Sequence, residues 1–154
     1  MRVPSFPHGP AIWGGPAPAR ERLQVGLCGN VIGVNQLRTV AVAVDARDPE
    51  ALASFWAAAL GTGIVGRWTD AHGTLYVRVA LFGETVLLFQ AVSAPTEGKN
   101  RMHLDLRAEA GSDQRSEVDR LVGLGASVLD EAPDHPWIVL ADPEGNEFCV
   151  LPPS

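Results

Sequence analysis

Asn100-Arg101-Met102-His103-Leu104-Asp105-Leu106, read with Asp142-Pro143-Glu144-Gly145-Asn146-Glu147-Phe148-Cys149-Val150-Leu151 further on, decides the fold of this chain. The first stretch alternates, with Met102, Leu104 and Leu106 on one face and His103 and Asp105 on the other, as a strand requires. The second opens on a turn, where proline pre-sets φ and glycine can go left-handed, and runs into a strand over 147–151. Between them Ser112 to Leu124 predicts a helix with Val118, Leu121 and Val122 on one stripe and Gly125 as its stop. Ala126 to Leu129 and Trp137 to Ala141 predict two more strands.

The same order stands upstream. Arg38 to Val44 alternates, with Val40, Val42 and Val44 on one face and Thr39, Ala41 and Ala43 on the other. Asp48-Pro49-Glu50 supplies an N-cap, a first-turn proline and an acid at the positive end of a helix dipole. Leu52, Phe55, Trp56 and Ala59 then form its apolar stripe, and Leu60-Gly61 ends it. Ile64 to Trp68, Thr74 to Leu81 and Glu84 to Gln90 predict three strands, the last two joined through Phe82-Gly83. The helix stops Gly61 and Gly125 lie 64 residues apart, so the chain reads as an internal duplication of a βαβββ unit, an α+β fold.

Composition bounds the rest. The 154 residues fit one core, with 46% apolar and 19% charged residues. A net charge of −6 with no basic cluster excludes nucleic acid and anionic membranes as partners. No run is long and apolar enough for a membrane span, and Cys28 and Cys149 are too few for a disulfide framework, so a cytoplasmic protein with free thiols is expected. Residues 1–36 carry prolines at 4, 7, 10, 16 and 18 and glycines at 9, 14, 15, 26, 29 and 33. That composition predicts a disordered N-terminal extension, with the domain over 37–154.

Over Leu37–Ser154 the motifs Asp48-Pro49-Glu50-Ala51-Leu52-Ala53-Ser54-Phe55-Trp56 with Leu60-Gly61, NRMHLDL at 100–106 and DPEGNEFCVLPP at 142–153 together resemble the glyoxalase, bleomycin-resistance and extradiol-dioxygenase superfamily, the vicinal oxygen chelate proteins. Its glyoxalase-like subgroup is the nearest match. The resemblance implies two tandem βαβββ modules forming an open, curved mixed sheet around a cavity. Helices would cover the outer face. Val40, Val42, Met102, Leu104 and Leu106 would then pack on helices, with Thr39, Ala41, His103 and Asp105 facing the cavity. Relatives with a metal hold it with four side chains from the first and last strands of the modules. Here those positions fall at Ala41 or Thr39, then Gln90, His103 and Cys149. Only His103 is an ordinary match, because a Gln oxygen is a weak ligand and a thiol shifts preference toward zinc or copper. No cofactor is therefore expected, a divalent metal on His103, Gln90 and Cys149 being the alternative.

The candidate ligand-binding residues are His103, Asp105, Gln90, Cys149, Trp137 and Trp68. His103 could donate a hydrogen bond, act as a base or ligate; otherwise it is a structural histidine. Asp105 alone reads as a strand-end acid, Cys149 as a small buried hydrophobe, and Gln90 as either a cavity group or a strand exit. Trp68, Tyr76 and Trp137 could line a pocket with flat apolar surface, while His72 and His135 sit in loops and are expected to be solvated. The resulting expectation is a protein binding a small, partly apolar molecule, with a homodimer admitted by open sheet edges. The enzyme alternative is a lyase, isomerase or dioxygenase on a nonstandard metal site.

Overall fold

Asp48 caps the first helix as the sequence predicts. Its carboxylate accepts from the Ala51 amide at 3.1 Å, and Pro49 and Glu50 fill the first turn. The computed structural model describes residues 39–96 and 98–153, so the extension expected over 1–36 lies outside the described residues. The first module consists of β1 (Ala41–Ala46), α1 (Pro49–Ala59), β2 (Ile64–Thr69), β3 (Leu75–Phe82) and β4 (Thr85–Ala91). The second repeats it with β5 (Leu104–Arg107), α2 (Gln114–Leu124), β6 (Ser127–Asp130), β7 (Ile138–Ala141) and β8 (Glu147–Leu151). Gly125 closes α2 at φ 115°, a conformation that favours glycine.

Each module forms a four-stranded mixed sheet, in the orders β1-β4-β3-β2 and β5-β8-β7-β6. The first and last strands of each module pair in parallel, and the remaining pairs are antiparallel. The registers coincide: Asp45 lies opposite Gln90 as Asp105 lies opposite Cys149. Thr39, Ala41 and Ala43 share the parity of Asp45, and none of them carries a strong metal ligand.

Faces follow from the period of two. Val42, Val44, Leu104 and Leu106 pack against one core that includes Leu52, Phe55 and Trp56 of α1, Val118 and Leu121 of α2, and Val77, Val79, Leu87, Phe89, Leu140, Phe148 and Val150 of the sheets. The expected helix-facing role of Met102 is not met. It is 79% exposed, because β5 begins only at Leu104 and residues 101–103 still belong to the connection between modules. Val40, one residue before β1, and Val122, in the last turn of α2, are likewise exposed.

The β7–β8 turn does more than reverse the chain. Asp142, 3% exposed, accepts from the amides of Glu144 and Asn146, from the Asn146 side chain, and from Trp56 Nε1 on α1 at 3.0 Å. Glu144 accepts from the amides of Arg47 and Asp48 at 2.7 and 2.8 Å, beside the positive end of α1. In return, Arg120 of α2 donates to the carbonyls of Ala58 and Ala59, satisfying the C-terminal end of α1. These bonds fasten the modules across the core. Among the described residues no helix is long and apolar enough to cross a membrane.

Candidate functional site

His103 precedes β5 and Asp105 is the second residue of that strand, so both project to the face away from α2. The imidazole Nε2 lies 3.2 Å from the Asp105 carboxylate. Parallel pairing of β5 with β8 sets Cys149 beside Asp105, and antiparallel pairing of β7 sets Val139 beside Cys149. His103, Asp105, Cys149, Val139 and Trp137 thus border one cavity of about 270 Å³, with Lys99 and Glu147 at its wall, joined by an ion pair at 3.1 Å. His103 Nδ1 has no protein partner among the described residues.

Cys149 is buried at 8% exposure. Burial first, then the charge of Asp105 and a hydrogen bond to it, push its thiol above the usual range, so it is a poor thiolate and a poor nucleophile near neutral pH. Trp137 is 40% exposed and is backed by His135, whose ring stacks on it at 4.6 Å and 6°. This corrects the expectation of a solvated His135. Its side chain is only 15% exposed, and its Nδ1 lies 2.7 Å from the Trp137 carbonyl. Burial would lower its pKa, but that carbonyl and Asp130 outweigh it and the pKa is raised.

Gln90 and Trp68 lie on the other module. Asp45, Gln90, Tyr76 and Trp68 form one cross-strand row over the first sheet, equivalent to the row Asp105, Cys149, Val139 and Asp130 over the second. Trp68 stacks on Tyr76 at 4.9 Å, and the Arg78 guanidinium sits 5.2 Å over the indole, against Gly66, where a Cβ would collide with it. Trp68 Nε1 and Arg78 Nε are buried without hydrogen-bond partners. Neither Gln90 nor Trp68 borders the His103 cavity.

A divalent ion spanning both modules does not fit these residues. The positions that the family resemblance gives to the first module hold Ala41 or Thr39 and Gln90, which offer a hard ion such as Mn(II) no carboxylate. The second module alone brings together His103, Asp105 and Cys149, whose ligand atoms lie within 4.8 Å of one another. A nitrogen, oxygen and sulfur set of that size suits zinc.

The Glyoxalase-like domain family model matches residues 41–151. No curated protein matches the chain. Among solved structures, the trypanothione-dependent glyoxalase I of Leishmania major is similar at 15% identity and TM-score 0.58, over 75% of this chain and 86% of that one. A fosfomycin resistance protein of Listeria monocytogenes, solved with Mn(II) and dihydroxypropylphosphonic acid, is similar at 11% identity and TM-score 0.61, over 74% and 90%. An antibiotic-binding protein from a Streptomyces species is similar at 21% identity and TM-score 0.56, over 79% and 100%. The duplicated modules, their shared register and the family match over most of the chain make it a member of the glyoxalase-like domain family, within the vicinal oxygen chelate superfamily.

Proposed function

We propose that this protein binds a small, partly apolar molecule in the cavity beside His103, without an obligatory metal. The observation that carries the reading is the convergence of His103, Asp105 and Cys149 with the exposed face of Trp137 on one concave wall. A few polar groups set in apolar surface is how small-molecule sites are built. The poor nucleophilicity of Cys149 and the lost ligands of the first module favour binding over catalysis. The antibiotic-binding relative supports the same direction. On this reading the protein works in the cytoplasm, and the free edges of its two sheets leave room for a homodimer.

Thermal-shift screening of small aromatic and heterocyclic compounds tests it. A ligand at about 100 times its Kd stabilises the native state by about 2.7 kcal/mol, a rise in Tm on the order of 10 °C for a domain this size. His103→Ala should weaken such hits about tenfold while leaving the unliganded melt unchanged. Hits that persist undiminished in that variant would place the site elsewhere.

The closeness of His103, Asp105 and Cys149 favours one second reading, a zinc-type centre confined to the second module with a lyase, isomerase or dioxygenase activity. Elemental analysis separates the two. The first reading expects well under one equivalent of any divalent metal and a melt indifferent to chelator. One equivalent of zinc, lost in His103→Ala, would establish the second.

A further inference from the structure

A cavity larger than the one beside His103 lies next to it. It holds about 490 Å³ between the edge strands β1 and β5, which are not hydrogen-bonded to each other, and its walls include Val42, Val44, Trp56, Leu87, Phe89 and Leu104. These six offer hydrocarbon, while the rest of the wall includes the polar Asp45, Lys99, Asn100, Arg101, Asn146 and Glu147. The only polar atom of the Trp56 side chain is committed to Asp142, so the small part of the indole that reaches the recess is carbon. An open cavity of this size lies in the range of ligand sites. Against the apolar side of this wall water finds few partners. Lys99, His103, Glu147 and Phe148 border both this recess and the His103 cavity, so the two spaces meet at the imidazole.

We propose that the recess takes the hydrocarbon part of the ligand, which is accordingly an elongated amphiphile with a small hydrogen-bonding end at His103 and an apolar body between the modules. This rests on the reading of the His103 cavity given above, and the following experiment separates the failure of one from that of the other. The probes are the methyl ketones from 2-butanone to 2-undecanone, titrated into the full chain and followed by calorimetry. Each added methylene buried in the recess should tighten binding by about fourfold until the space is filled. Val44→Phe, which fills the recess, should flatten that dependence. His103→Ala should weaken every ketone by a similar factor and leave the dependence intact.

Affinity independent of chain length, or a dependence unmoved by Val44→Phe, overturns the recess while leaving the His103 cavity standing. A dependence that survives together with undiminished affinity in His103→Ala overturns the polar end instead. Should Val44→Phe fold poorly, nuclear Overhauser contacts in the unmodified chain between the ketone tail and the methyls of Val42 and Val44 decide, and their absence rejects the proposal. Val44→Phe that destabilises the chain while ketones show no length dependence also rejects it.

Discussion

Asp142→Ala should destabilise the protein by about 3–4 kcal/mol, lowering Tm by more than about 10 °C. The size follows from what the carboxylate holds. Asp142 is 3% exposed and accepts from two backbone amides of its own turn, from Asn146, and from Trp56 Nε1 in the other module. Hydrogen bonds to a charged acceptor are worth about 1.5–3 kcal/mol each, and a buried donor left without one costs a further share of its desolvation. The turn amides can recover part of the loss from water, because they are only half-buried. Trp56 Nε1 cannot, since the indole is 4% exposed between Phe55 and Phe148. Urea unfolding of the variant measures the loss. A drop below about 1 kcal/mol would show that the contact between modules is incidental. Glu144→Gln should cost less, because its two bonds at the start of α1 are exposed, although the amide keeps one accepting oxygen and turns an NH2 toward the other backbone N–H.

That prediction also marks where the sequence stops being legible. Asp142-Pro143-Glu144-Gly145-Asn146 reads as a turn from composition alone, and Gly145 does take φ 92° there. Nothing local says that Asp142 reaches an indole 86 residues away or that Glu144 reaches amides 96 and 97 residues away. Periodicity reports which face is buried, not which partner buries it. For the same reason α1, with its proline and capping acid, and β8 are legible almost to the residue, and so is the shared face of His103 and Asp105. The start of β5 is not, because a period of two continues through Met102 after the ladder has ended. In the candidate site, Cys149 joins His103 because parallel pairing of the module ends is implied by the repeat. Gln90 does not, because it obeys the same rule in the other module. The backing of Trp137 by His135 was hidden by a loop whose proline and acids suggested solvent, and the recess between β1 and β5 leaves no local signature at all.

Phe148→Ala should match the Asp142 variant or exceed it, at about 3–5 kcal/mol, while Cys149→Ala one residue along should cost about 1 kcal/mol. Adjacent residues of β8 point to opposite faces, and the contrast tests that assignment directly. Phe148 is fully buried, with its ring 5.1 Å from Trp56 and 6.4 Å from Phe55 in edge-to-face arrangements, so its loss opens a cavity among three aromatic rings drawn from both modules. Cys149 faces the His103 cavity, where removing one sulfur only enlarges a space that already exists. Ligand binding should divide the other way. Cys149→Ala changes the wall of the proposed site in a chain that remains folded, whereas Phe148→Ala, at a residue that also borders both cavities, weakens binding through the wall and through the fraction of protein unfolded, and only the second part is recovered on cooling toward the temperature of maximum stability. Parallel urea and ligand titrations of the two variants check both halves. Equal stability losses would mean that the faces of β8 are wrongly assigned, and with them the placing of the candidate site on the side of the sheet away from the helices.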